Sequence, residues 1–224
     1  DISASAGSRV AEKVIELAEQ STAQPVFVMG LPRSGSTLLS RILNFSPEIL
    51  SVNDLYFLQG VFAEVVEDRI LSVPQVKHLS DLLLKVIDTR ANANDEFIGQ
   101  FQISPEKIEE IRGKVLDGHN KEEMRWCELM DFILSSVAFE AGKSKWADKT
   151  PQNFYHFNLI ARRFPNARFI FLFRDPRYIL ASYKYASGDG HDSRRYHPLI
   201  YALYWRSAVR FFMRLGHDSR VLMV

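Results

Sequence analysis

The sequence predicts an α/β protein built on a P-loop-type parallel β-sheet flanked by helices, with a large helical insertion after the first strand-loop-helix unit. Three observations carry this expectation. Two short apolar runs, Val26 to Met29 and Phe169 to Phe173, have the unbroken hydrophobicity of strands buried on both faces. Each is followed by turn residues and then by a stretch of helical periodicity, the order of a βα unit. Between them, over about residues 55–142, the pattern is mostly helical.

In chain order, Ser8 to Gln20 sets Val10, Val14, Leu17 and Ala18 on one face and predicts an amphipathic helix. Pro25 opens the strand Val26 to Met29. Gly30 to Gly35 forms the turn, and Ser36 to Phe45 is a helix with Leu38, Leu39, Ile42 and Leu43 turned inward. In the helical block, Ser104-Pro105-Glu106 is a helix start, with serine as cap and proline in the first turn. A second start near Lys121 leads to Ala141. Strand and helix then alternate again: Lys145 to Ala147 as strand, a helix capped by Thr150 and running to Phe164, the strand Phe169 to Phe173, and a helix begun by Asp175-Pro176. A long helix from His197 to Leu215 and a last strand from Arg220 to Val224 complete the pattern. No linker divides residues 1–224, so one domain is expected. A core strand at the last residue would lack cover, so the natural chain is expected to continue past 224.

Composition narrows the function classes. At 224 residues, 46% hydrophobic and 25% charged, the chain has the make-up of an ordinary globular protein. Its longest uncharged apolar runs fall far short of the roughly 20 residues that span a bilayer, so no membrane span is expected. Asp1 to Ser8 lacks the basic-then-apolar order of a signal peptide. Cys127 stands alone, which leaves no intramolecular disulfide or Cys-rich metal site and favours the reducing cytoplasm. Charge is uneven, with 10 basic and 16 acidic residues over 1–112 against 18 and 11 over 113–224. Such a basic half suits a polyanion, whether nucleic acid, membrane surface or phosphorylated small molecule, or it is simply a solvated face. No nucleic-acid fold motif accompanies it, so no nucleic-acid partner is expected.

Gly30-Leu31-Pro32-Arg33-Ser34-Gly35-Ser36-Thr37 lies between apolar strand and helix. In that context successive backbone N–H groups and a helix N-terminus form a concave anion site. The nucleotide-hydrolase loop reads GxxxxGK(S/T), with lysine reaching the terminal phosphates. Here the glycine spacing is kept, Ser36 occupies the lysine position and the cation is Arg33. The strand Phe169 to Phe173 ends in Arg174, where a magnesium enzyme wants an acid. These residues ask for a ligand with two anionic ends and no metal between them.

These segments resemble the sulfotransferases that use 3′-phosphoadenosine 5′-phosphosulfate (PAPS). Their 5′-phosphosulfate loop, PRSG(S/T)T, is matched by Pro32 to Thr37; their 3′-phosphate motif, a strand-ending arginine with a serine eight residues on, is matched by Arg174 and Ser182. Trp146 to Pro151 is similar to the DKTP segment of bacterial and tyrosylprotein members. The likeness covers roughly residues 25–60 and 144–224. It implies that Arg33, Ser34, Gly35, Ser36 and Thr37 hold the 5′-phosphate and sulfuryl group, and that Arg174 and Ser182 hold the 3′-phosphate. It also implies an in-line transfer, without a metal, from PAPS to a hydroxyl or amine of a small-molecule or carrier-bound acceptor.

For catalysis the resemblance points to Arg33 on the bridging oxygen, Lys149 as a second cation or else a structural lysine, and Asp54 as base or else a turn residue. Asp54 and Tyr56 stand where relatives carry glutamate and histidine. Gly188 to Arg195 reads as a lid near the cofactor or a plain surface loop. The rivals are a magnesium-dependent kinase or nucleotide hydrolase, a nucleic-acid-binding module, and a nucleotide-binding relative that does not transfer.

Overall fold

The structure, a computed structural model, describes residues 24–60, 69–91, 101–119, 123–185, 197–215 and 218–224. The expected helix over Ser8 to Gln20 and the Gly188 to Arg195 segment lie outside these residues. The elements in chain order are β1 (Val26–Gly30), α1 (Ser36–Phe45), β2 (Ile49–Asn53), α2 (Phe57–Gly60), α3 (Val73–Ala91), α4 (Pro105–His119) and α5 (Trp126–Glu140). They continue with β3 (Lys145–Lys149), a 3₁₀ turn (Pro151–His156), α6 (Phe157–Arg163), β4 (Arg168–Leu172), α7 (Pro176–Tyr185), α8 (Pro198–Leu215) and β5 (Val221–Met223). The five strands form one sheet in the order β2-β3-β1-β4-β5, parallel throughout.

β1 is central, and its side chains alternate between two apolar layers, as the period of a strand requires. Phe27 and Met29 enter the larger core with Trp146, Phe169 and Phe171. Val26 and Val28 meet Ala147, Leu39 and Leu43 on the other face. Phe27 anchors the larger layer, edge-on to Trp146 at 5.4 Å and stacked on Phe169 at 5.8 Å. Burying one such ring contributes about 1.5–3 kcal/mol, which is why the unbroken run Val26 to Met29 is stable only with cover on both sides.

The helical block falls between β2 and β3, as expected, with α3, α4 and α5 packed together. Several local expectations are corrected. Leu38 and Ile42 of α1 are 63% and 55% exposed, because the helix turns its Ser36, Ser40 and Leu43 side to the sheet. On that side Leu39 and Leu43 pack on the sheet and the Ser40 hydroxyl meets the Ser51 hydroxyl at 2.7 Å in the buried seam. β2 is a strand that the apolar pattern does not mark, since Ser51 and Asn53 interrupt it. α5 begins at Trp126 rather than near Lys121, where the Glu128 carboxylate accepts from the Arg125 backbone N–H at 2.7 Å. The segment after β3 is 3₁₀ before it becomes α-helical at Phe157.

Candidate functional site

The register places Gly30 beside Leu172 and Lys149 beside both Val28 and Asn53, so four strands end along one edge. The carboxyl edge of a parallel α/β sheet is where such folds bind ligands. Gly30 is required by close approach: at φ 148° a Cβ there would lie 2.6 Å from the Leu172 carbonyl oxygen. The loop that follows carries left-handed backbone at Arg33 (φ 69°) and Gly35 (φ 102°), and the Ser34 N–H donates to the Leu31 carbonyl at 3.2 Å. Left-handed residues interleaved in this way build the backbone concavities that take anions. The Ser34 hydroxyl is buried and has no hydrogen-bond partner among the described residues.

Arg33, Arg174 and Ser182 come together over this loop. Arg33 Nε donates to Ser182 Oγ at 3.0 Å, and Arg174 Nη1 donates to the Arg33 carbonyl at 3.1 Å. Trp205 Nε1 donates to the Arg174 carbonyl at 3.0 Å, and the Arg174 guanidinium lies 5.7 Å from the Tyr178 ring centre. Among the described residues neither arginine has a carboxylate partner. Asp175, by contrast, caps α7 as the sequence predicts, accepting from the Arg177 N–H at 2.8 Å, and Arg177 pulls its carboxyl down to about 2.

Across the loop, Lys149 is 2% exposed and its Nζ donates to Asp54 Oδ2 at 2.8 Å. The same nitrogen is 3.4 Å from Thr37 Oγ1. A lysine missing from the loop sequence is therefore supplied to it by the neighbouring strand β3. Asp54 (φ 52°) and Tyr56 (φ 49°) are both left-handed, a conformation costing a non-glycine residue roughly 1–2 kcal/mol. The phenol of Tyr56, partly buried and near Asp54, is pushed above its usual value, chiefly by burial.

Sequence reasoning missed a third group. Thr150 takes the cap position before Pro151, as the sequence predicts, but its side chain makes no capping hydrogen bond. Its hydroxyl donates to Asp148 Oδ1 at 2.6 Å and accepts from the Leu55 N–H at 3.1 Å. Asn153 Nδ2 donates to Asp148 Oδ2 at 2.6 Å, while Asn153 Oδ1 accepts from Gln59 Nε2 at 3.1 Å. Asp148, Thr150 and Asn153 are all buried, and burial pushes the Asp148 carboxyl up to about 6. The sequence signal for Asp148 and Thr150 is their place in the DKTP-like segment, which names the residues and not their hydrogen bonds. Among the described residues no three His, Cys, Asp or Glu could hold a metal, and no helix is long and apolar enough to cross a membrane.

Parallel strands ending in a glycine-bounded loop, with two arginines beyond it that have no carboxylate partner among the described residues, define an α/β protein of the class whose ligands meet the carboxyl edge of the sheet. The chain belongs to the sulfotransferase family, whose model matches residues 25–224. It is similar to the solved sulfotransferase STF9 of Mycobacterium avium, at 17% identity and a TM-score of 0.48 over 96% of this chain and 62% of that one. It is also similar to STF1 of Mycobacterium tuberculosis H37Rv, at 15% identity and a TM-score of 0.47 over 95% and 65%. The chain thus spans less than two thirds of either solved structure. No curated protein matches it.

Proposed function

We propose that this protein transfers the sulfuryl group of PAPS to a hydroxyl, or less readily an amine, of a small or carrier-bound acceptor, without a metal and in the cytoplasm. The observation that carries this reading is the joining of Arg33, Ser182 and Arg174 at the carboxyl edge of the sheet, with no acid among the described residues paired to either arginine. Among the described residues, two guanidiniums without a carboxylate partner and the Ser34 hydroxyl, buried without a hydrogen-bond partner, suit a ligand bearing a phosphate at each end. Arg33, Ser34, Gly35, Ser36 and Thr37 would hold the 5′-phosphosulfate; Arg174 and Ser182 would hold the 3′-phosphate.

PAPS supplies the electrophilic sulfur and a stable leaving group, the 3′,5′-bisphosphate. The chain's own residues do the rest. Arg33 and Lys149 present fixed cations where negative charge grows, the kind of preorganised donor that lowers a barrier most. Asp54 has Oδ2 bound to Lys149, so Oδ1 is the atom to take the acceptor's proton. Calorimetry with 3′,5′-adenosine bisphosphate and with ATP, each with and without magnesium, tests the reading. Tight metal-independent binding of the bisphosphate is expected; magnesium-dependent binding of ATP in its place would make the protein a kinase that borrows Lys149 for its loop.

A further inference from the structure

The segment from Asp54 to Gly60 carries the candidate base, yet it contains two left-handed residues and needs something outside itself to hold it. The restraint is a buried carboxylate on the neighbouring strand, Asp148 of β3, which lies opposite Val52 of β2. Asp148 receives one donor on each oxygen, Thr150 on Oδ1 and Asn153 on Oδ2. An ionised carboxylate accepts and never donates. The Thr150 hydroxyl must therefore spend its proton on Asp148, which leaves its lone pairs for the Leu55 N–H. The Asn153 amide must likewise turn its nitrogen to Asp148, which presents its oxygen to Gln59. One charge thus sets the direction of two hydrogen-bond chains, and they grip the segment at Leu55 near its start and at Gln59 near its end. A third tie, from the Asp54 N–H to the Lys149 carbonyl at 2.7 Å, fixes the point where the Asp54 and Lys149 side chains meet.

We infer that Asp148 and Thr150 are positioning residues that fasten the left-handed Asp54–Tyr56 turn to the end of β3 and so hold the Asp54–Lys149 pair beside Thr37. Neither residue touches the reacting atoms. Their catalytic importance rests on the sulfotransferase reading, whereas the clamp itself does not.

The test compares T150V, T150S and D148N in the whole chain. Its readout is the 15N resonance of the Lys149 ammonium, which is sharp only while that group is buried and ion-paired, and which is assigned by its disappearance in K149M. Calorimetric affinity for 3′,5′-adenosine bisphosphate is measured alongside. T150V keeps the shape of threonine and loses its hydroxyl, so the Lys149 signal should be lost while bisphosphate affinity stays within about threefold of wild type. T150S keeps the hydroxyl and should retain the signal. D148N, of the same size but with a donor in place of one acceptor, should lose it. A wild-type Lys149 signal in T150V, or its loss in T150S, would overturn the clamp. Should T150V fail to fold, D148N decides by the same signal. Wild-type protein that does not bind the bisphosphate would refute the sulfotransferase reading and leave the resonance comparison still decisive for the clamp.

Discussion

Arg33 combines an exposed guanidinium, a left-handed backbone and a hydrogen bond to Ser182, so its chain direction is set before any ligand arrives. Replacing it with alanine is expected to slow turnover of labelled PAPS by about 10²–10³-fold, the cost of removing one transition-state donor. Arg174, more remote in its expected role, should act differently. R174A removes charge-assisted hydrogen bonds of about 1.5–3 kcal/mol, so calorimetric affinity for the bisphosphate should fall by about 10–100-fold with turnover at saturation little changed. Asp148 yields a prediction in pH. Burial raises its carboxyl to about 6 from 3.8, with nearby Asp54 adding to the rise and Thr150, Asn153 and Lys149 opposing it. The folded state therefore holds this proton longer than the unfolded state, and the stability it contributes declines as pH rises from about 4 to about 6. The unfolding free energy of wild type minus that of D148N should shrink across that window in denaturant titrations. A difference constant with pH would mean that the group does not titrate there.

Elements repeat the lesson that polar side chains decide what apolar pattern leaves open. β2 closes one edge of the sheet, and an edge strand presents unpaired backbone groups. Asn44 at the end of α1 answers them: its Nδ2 donates to the Ser51 carbonyl at 2.9 Å, and its Oδ1 accepts from the Ser51 N–H at 2.7 Å. The side chain thus imitates the strand that the edge lacks. N44A leaves both backbone groups without this partner in a half-buried setting and should destabilise the fold by about 1–3 kcal/mol, read from the denaturant midpoint. Lys143 secures the same junction by donating to the Asn44 and Ser46 carbonyls at 3.0 and 2.6 Å, where α1 ends. None of this was legible in the sequence. Ile49-Leu50-Ser51-Val52-Asn53 offers no apolar run and an alternation of only four residues, Leu50 to Asn53, whose polar side is buried all the same, Ser51 through a hydrogen bond to a helix and not through hydrophobicity. β1 and β4 were legible because both of their faces are apolar.

For the whole molecule, the parallel sheet brings together residues that stand far apart in the chain. The loop after β1 and the Arg174–Ser182 stretch could be read as motifs, since each is contiguous. The closeness of Asp54 to Lys149 could not, because it depends on β2 pairing with β3, and the role inferred for Asp148 depends on four hydrogen bonds that no spacing reveals. The contact between Arg33 and Ser182 joins positions separated by 149 residues. Its consequence is thermodynamic: the loop after β1 and the helix after β4 answer to perturbation as one body. The penalty of R33A on bisphosphate affinity should therefore depend on whether Ser182 is present, and a double-mutant cycle with S182A should depart from additivity by about 0.5 kcal/mol or more. Under the proposed function, evolution could then not tune the grip on one end of the donor without altering the grip on the other.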